Sequence, residues 1–123
     1  MSAAWLLLLV CVACAHPPAT RAELVSLHNR RVGEGQELWL QPAAGARINA
    51  RLKPVIELDS GGRVEFSAAG ITEDSAYFTE PPRAHLGPAA RSVKGILRVG
   101  VCPAGLNVCQ SLALPIDRSL AGS

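Results

Sequence analysis

The sequence predicts an all-β protein: an immunoglobulin-like antiparallel β-sandwich preceded by a signal peptide. Three observations predict this class. Six or seven short runs alternate apolar and polar residues, and turn-forming residues separate them. No segment keeps a 3.6-residue apolar period with helix caps. The part of the chain that carries these runs has about 100 residues, which is the usual size of such a sandwich.

Composition excludes several classes of protein. Hydrophobic residues make up 49% of the 123-residue chain and charged residues 18%, which excludes a disordered or fibrous protein. The net charge is +2 and the basic residues are scattered, so no nucleic-acid-binding surface is predicted. After the leader, no apolar run reaches the roughly 18 residues of a membrane span. The length excludes a large multidomain enzyme.

Residues 1–15 are predicted to be a signal peptide. Residues 5–15 (WLLLLVCVACA) are uncharged and have the length of the apolar region of such a leader. The small residues of Ala13-Cys14-Ala15 favour cleavage behind Ala15. In an alternative interpretation this is a lipoprotein signal, and Cys14 becomes the lipidated first residue of a membrane-anchored protein. Both interpretations predict export, either to the periplasm or by secretion.

The first half of the mature chain alternates strands with turns. Residues 16–22 form a Pro-rich tether, and residues 23–117 form the domain. Strands are predicted at 24–28, 36–41, 47–50, 54–58 and 63–67, because apolar residues occupy alternate positions there. Asp59-Ser60-Gly61-Gly62 predicts a hairpin turn between the fourth and fifth strands.

The second half has a long loop and two long strands. Residues 70–88 contain three prolines and are predicted to be a loop. Residues 93–101 and 108–116 alternate most clearly, and residues 118–123 are predicted to be a tail. The predicted core consists of the alternating apolar residues of the strands: Leu38, Leu40, Ile56, Leu58, Phe66, Leu97, Val99, Leu112 and Leu114. Trp39 is interpreted as a strand-face residue rather than a ligand platform.

Two cysteines remain in the mature chain, Cys102 and Cys109, on either side of the connection between the last two strands. Exported proteins keep disulfides, so we expect these two residues to be bonded. The ring is small, and its entropic stabilisation lies below the roughly 3 kcal/mol of a 15-residue loop. Both a redox role and a structural role are therefore considered for this disulfide. Cys11 and Cys14 have the C-x-x-C spacing, but they lie in the leader and are not interpreted as a redox motif.

Residues 99–102 (VGVC), Cys109 and residues 112–116 (LALPI) resemble the end of the amino-terminal periplasmic domain of the thiol:disulfide interchange protein DsbD family. Residues 45–50 (GARINA) and 73–78 (EDSAYF) are similar to two further segments of that domain. The resemblance implies an immunoglobulin-like sandwich with a redox-active cysteine pair. It implies that Cys109 makes the intermolecular bond and that Cys102 resolves it.

The resemblance also implies a cap loop over the cysteine pair, formed by residues that include Glu73, Asp74, Tyr77 and Phe78. The implied partner is a thioredoxin-like protein or a membrane thiol-disulfide relay protein. Two hypotheses follow. The protein is an exported thiol:disulfide exchange module, or it is a non-catalytic binding or assembly domain whose hairpin disulfide is structural. No cofactor is predicted under either hypothesis.

The remaining histidine and acidic residues are interpreted as solvated side chains and not as metal or acid-base sites. His16, as a mature N-terminus, could bind copper with His28 or His85, but a solvated tether histidine is favoured. The cysteines lack nearby histidines for a zinc site. Glu73 and Asp74 could act as an acid-base pair, but adjacent side chains diverge, so a solvated loop is favoured. No metal site is predicted.

Overall fold

The computed structural model describes residues 24–106 and 108–120, and these fold into antiparallel sheets without a helix. The prediction of an all-β antiparallel sandwich is confirmed. The predicted leader and tether, with Cys14 and His16, lie outside the described residues. Along the described part of the chain, no helix has the length and apolar character to cross a membrane. The strands are β1 (Val25–Val32), β2 (Gly35–Pro42), β3 (Arg47–Ile48), β4 (Val55–Leu58), β5 (Arg63–Glu65), β6 (Arg83–Leu86), β7 (Ser92–Cys102) and β8 (Gln110–Ser119).

The strands form two sheets. The first sheet has the order β1-β2-β6. The second is built around β7, which pairs with β8 along one edge and with β3 and β4 along the other, while β5 extends β4. The turn over residues 59–62 joins β4 to β5, as the sequence predicts.

The inner faces of both sheets pack into one hydrophobic core. In β7, Val93, Leu97, Val99 and Val101 are buried, while Lys94 and Arg98 on the opposite face are exposed. This alternation follows from the two-residue period of a strand. Among the predicted core residues, Leu58 and Leu114 are partly buried and pack against the core, and the others are buried. Burial of each large apolar side chain contributes about 1.5–3 kcal/mol relative to exposure.

Several strand boundaries differ from the sequence prediction: β1 continues past residue 28 to Val32, and β8 begins at Gln110 instead of residue 108. The predicted loop 70–88 is wrong at β6, which pairs with β2 over four residues and buries Ala84. At the other end, β8 extends to Ser119, and Leu120 is only 1% exposed. The folded structure therefore extends past the predicted domain boundary at residue 117.

The edge strands β1 and β8 are joined across the sandwich by Arg118. Its Nε donates a hydrogen bond to Asn29 Oδ1 at 2.6 Å, and its Nη1 donates one to the Leu27 carbonyl at 2.7 Å. Pro115 is exposed in the middle of β8. Proline lacks an N–H group, so in sheets it occurs mainly on edge strands such as this one.

Candidate redox site

The cysteine pair lies at the end of the β7–β8 hairpin. Cys102 is the last residue of β7, and Cys109 directly precedes β8. Gly105, with φ of +73°, turns the connecting loop in a conformation that L side chains rarely adopt. The loop returns the chain so that the Cα atoms of the cysteines are 3.9 Å apart and their sulfur atoms are bonded. The predicted Cys102–Cys109 disulfide is confirmed.

The two cysteines differ in exposure. Cys102 is 1% exposed, whereas Cys109 is exposed. The alternation of β7 places Cys102 on the outer face, so neighbouring chain must cover it. A close approach of loops supplies part of this cover, because a β-carbon at Gly45 would lie 2.9 Å from that of Ala104. A protein thiol arriving from solvent therefore meets the sulfur of Cys109 first.

Arg47 lies opposite Cys102 in the β3–β7 ladder. Paired residues of a sheet point to the same face, so Arg47 shares the outer face with Cys102. Asn49 and Tyr77 form the next bridge outward, which places Tyr77 on this face as well. The guanidinium carbon of Arg47 lies 3.8 Å from the centre of the Tyr77 ring, a cation–π contact. The guanidinium is therefore held on the side of β3 that faces residues 76–78, whereas the Arg47 backbone pairs with Cys102.

The four residues of the implied cap loop divide among different environments. Tyr77 lies on the outer face beside Arg47, whereas Phe78 packs against the core from the opposite face. Glu73 and Asp74 are exposed in a turn, where the Asp74 carbonyl accepts a hydrogen bond from Arg51 at 3.1 Å. Of the four residues, Tyr77 contacts Arg47, the cross-strand neighbour of Cys102.

The acidic turn is organised by Asp74. The Thr72 hydroxyl donates a hydrogen bond to Asp74 Oδ1 at 2.5 Å, and the Ala76 N–H donates one at 3.1 Å. The hydrogen bond from Thr72, followed by that from Ala76, lowers the pKa of Asp74 below its ordinary value, with a smaller effect from Arg51. Ser75 completes the turn with a φ of 59°. The arrangement holds a charged carboxylate in a tight turn and does not pair it with a second acid.

Two large apolar side chains are exposed in the loop between the cysteines. Leu106 is 55% exposed and Val108 is 71% exposed. The sequence predicts a strand from residue 108, but β8 begins at Gln110, so both residues lie in the connecting loop, where alternation predicts nothing. Sequence analysis missed Arg47 because the cross-strand partner of Cys102 depends on the pairing of β3 with β7. Their position between the two cysteines is the sequence feature that could have identified Leu106 and Val108 as part of the site.

No family model, curated protein or solved structure matches this chain. The resemblance to the DsbD amino-terminal domain therefore stays a prediction.

The predicted histidine positions lie on the other sheet. His28 in β1 and His85 in β6 face outward on either side of β2, and each has a neighbour there: Trp39 for His28 and Glu37 for His85. Within the described ranges, no group of three histidine, cysteine or acidic residues is arranged to hold a metal ion. Phe66 lies in the core, and Trp39 is half-buried on the outer face of β2.

Proposed function

We propose that this chain is an exported thiol:disulfide exchange module whose Cys102–Cys109 pair passes electrons to or from a thioredoxin-like partner outside the cytoplasm. The observation that carries the proposal is the unequal exposure of the two sulfurs in one small ring. Cys109 is open to attack, and Cys102 is shielded beside it. Cys109 therefore forms the mixed disulfide with the partner, and Cys102 resolves it.

The exchange proceeds in two balanced steps. A thiolate of the partner attacks Sγ of Cys109, the Cys102–Cys109 bond breaks, and Cys102 leaves as a thiolate that takes up a proton. The second cysteine of the partner, as a thiolate, then attacks the partner's own sulfur in the mixed disulfide. Cys109 leaves and takes up a proton, so the partner is oxidised to a disulfide and this chain is reduced by two electrons. The reverse sequence oxidises this chain.

Neighbouring groups support each step. Leu106 and Val108 expose apolar surface next to Cys109, where a partner has to approach closely. Arg47 lies opposite Cys102, the sulfur on which negative charge develops in the first step. A positive charge on the same face of the sheet lowers the energy of a developing negative charge, and the effect is larger where water is excluded.

The first experiment traps the mixed disulfide. Cys102→Ala leaves the exposed Cys109 without its resolving partner, and Cys109→Ala is the matched control that leaves the shielded Cys102. Each variant is mixed with a thioredoxin-like protein whose own resolving cysteine has been removed and whose remaining cysteine is activated as a mixed disulfide. We expect a covalent adduct with Cys102→Ala and much less with Cys109→Ala. Equal adduct formation, or none with either variant, contradicts the proposal.

The second experiment separates exchange from a structural brace. Equilibration with glutathione gives the reduction potential, and structural bridges usually lie below about −300 mV. We expect a higher value here. Leu106→Ser and Val108→Ser should slow reduction by the thioredoxin-like protein, whereas Leu52→Ser, which is 60% exposed elsewhere, should not. A very low potential without adducts identifies the chain as a binding or assembly domain with a structural disulfide.

A further inference from the structure

The outer face of the first sheet carries a group of side chains that the redox site does not use. Trp39 lies at its centre, on β2. The His28 ring of β1 stacks on the indole, with ring centres 5.3 Å apart and an angle of 15° between the planes. The guanidinium carbon of Arg30 lies 5.8 Å from the indole centre. The side of Trp39 that faces β1 is therefore occupied.

On the side that faces β6, Trp39 borders an open slot. Arg83 lies opposite Trp39 in the β2–β6 ladder, so both side chains stand on the outer face. A cavity of about 300 Å³ lies here, and its lining consists of Arg30, Glu37, Trp39, Gln41, Pro81 and Arg83. This volume accommodates one ring-sized group, and pockets with one aromatic wall and a few polar groups are typical ligand sites.

Glu37 is a buried carboxylate in the wall of this slot. It is 6% exposed, its Oε1 accepts a hydrogen bond from Arg30 Nε at 2.9 Å, and the same oxygen forms an ion pair with Arg30 Nη2 at 2.8 Å. Its Oε2 lies 3.7 Å from His85 Nε2, which is too long for a good hydrogen bond. Arg30 thus balances the charge of Glu37, and Oε2 keeps the capacity to accept a hydrogen bond from a ligand hydroxyl.

Ion pairs occur on both outer faces: Lys94 pairs with Asp117 and Arg98 with Glu57 on the second sheet, and Arg30 pairs with Glu37 on the first. On the first sheet, among the described residues, no carboxylate lies within ion-pair distance of Arg83. Arg83 is exposed and presents five N–H donors beside the slot. An anionic group on a ligand would form the ion pair with Arg83 that no described carboxylate forms.

We infer that this slot binds an acidic sugar unit, that is, a saturated ring that carries hydroxyl groups and one carboxylate. The apolar C–H face of the ring packs on the indole of Trp39, and the carboxylate takes the guanidinium of Arg83 in a charge-assisted pair. The ring hydroxyls donate to Glu37 Oε2 and exchange hydrogen bonds with the amide of Gln41. An acidic peptide side chain carries the carboxylate but no donor of its own, and its backbone N–H lies several bonds away, whereas the sugar carries carboxylate and hydroxyls on one ring.

The test is an NMR titration of the mature protein with D-glucuronic acid, observed at the indole N–H of Trp39; the other tryptophan, Trp5, lies in the predicted leader. We expect a saturable shift, and binding of D-glucose weaker by about tenfold or more, because it lacks the charged hydrogen bond. Arg83→Gln should weaken glucuronate binding by a similar factor. Arg63→Gln removes the same charge from an exposed position of the other sheet and should leave binding unchanged.

Four results would overturn the inference: no saturable shift, equal weakening by Arg63→Gln, acetate binding as tight as that of glucuronate, or tighter binding of an oligoglutamate peptide. Acetate would indicate a simple anion site, and the peptide would indicate a protein partner. Gln41→Ala provides a second variant at an exposed position, and it should weaken glucuronate more than acetate. Far-UV circular dichroism establishes that each variant keeps the sheet fold.

Discussion

At the scale of single residues, the Thr72 hydroxyl controls the ionisation of Asp74. The folded pKa of Asp74 lies below the unfolded value because Thr72 and then Ala76 donate hydrogen bonds to the carboxylate. A depressed pKa contributes stability above the unfolded pKa, and this contribution is lost as the pH falls through the folded pKa. The charged turn is therefore expected to loosen in acid.

We predict that Thr72→Val raises the pKa of Asp74 toward its ordinary value, because the largest stabilising hydrogen bond disappears. An NMR titration of the Asp74 carboxyl carbon measures this. Thr79→Val removes a hydroxyl from the same segment without a bond to Asp74 and serves as the control. An unchanged midpoint in Thr72→Val, or an equal change in the control, would contradict the assignment of the cause.

Part of the candidate redox site could be predicted from the sequence, and part could not. The Cys102–Cys109 bond could be predicted because both residues flank one turn, and a hairpin brings such positions together. The contact of Arg47 with Tyr77 could not, since these residues come from segments about 30 positions apart that meet through β3. The placement of Trp39 on a strand face is as predicted, but alternation gives only the face of a strand and not the cavity beside it.

At the scale of elements, β7 depends on a glycine. Gly95 pairs with Leu58 on one side and with Ile116 on the other. A β-carbon there would lie 2.1 Å from the carbonyl oxygen of Glu57, which is backbone and cannot move aside easily. The close approach of β4 to the central strand therefore requires the absence of a side chain.

We predict that Gly95→Ala lowers the free energy of unfolding by about 1–3 kcal/mol, the usual cost of overpacking. Gly87→Ala is the control, because a β-carbon there meets nothing within 4 Å, and we expect a change within about 0.5 kcal/mol. Urea unfolding followed by circular dichroism measures both. Similar values for the two variants would show that β4 shifts to accept the methyl group.

The predicted strand β7 and the unpredicted strand β6 differ in the length of their apolar–polar alternation. In β7, burial alternates from Ser92 to Val99, so its faces were assigned correctly there. β6 has four residues, of which Ala84 is buried and Leu86 partly buried, and it follows Pro81 and Pro82. A pattern this short next to prolines resembles a loop. Its strand geometry comes from pairing with β2, which is a tertiary interaction.

At the scale of the whole molecule, stability comes from the shared core and only to a small extent from the disulfide. The core joins the inner faces of both sheets, whereas the Cys102–Cys109 bond closes a separation of seven residues at one hairpin end. The chain-entropy model gives such a ring less than about 3 kcal/mol. Both redox forms should therefore be folded, as an exchange cycle requires.

We predict that reduction leaves the far-UV circular dichroism spectrum unchanged and lowers the free energy of unfolding by less than about 3 kcal/mol. Urea unfolding with and without a phosphine reductant measures the difference. The double variant Cys102→Ala with Cys109→Ala, treated in the same way, controls for effects of the reductant. Loss of the sheet spectrum on reduction would show that the bond holds the fold and would favour the structural alternative.

Strand pairing is the part of the architecture that the sequence leaves open. Alternation indicates which side chains face inward, but β3 and β4 share one edge of β7, and β6 joins β2 from a distant part of the chain. These pairings depend on loop paths and on the complementarity of the two inner faces. No local pattern encodes them, so the class of fold could be predicted and the order of strands could not.

Two of the edge strands, β8 and β1, are poorly suited to accept a strand from another molecule. On β8, Pro115 lacks an N–H donor in the middle of the strand. On β1, the Leu27 carbonyl already accepts a hydrogen bond from Arg118. Unpaired edges are where copies of a β protein join into fibrils. Pro115 and Arg118 therefore disfavour the joining of copies of this chain along these two edges.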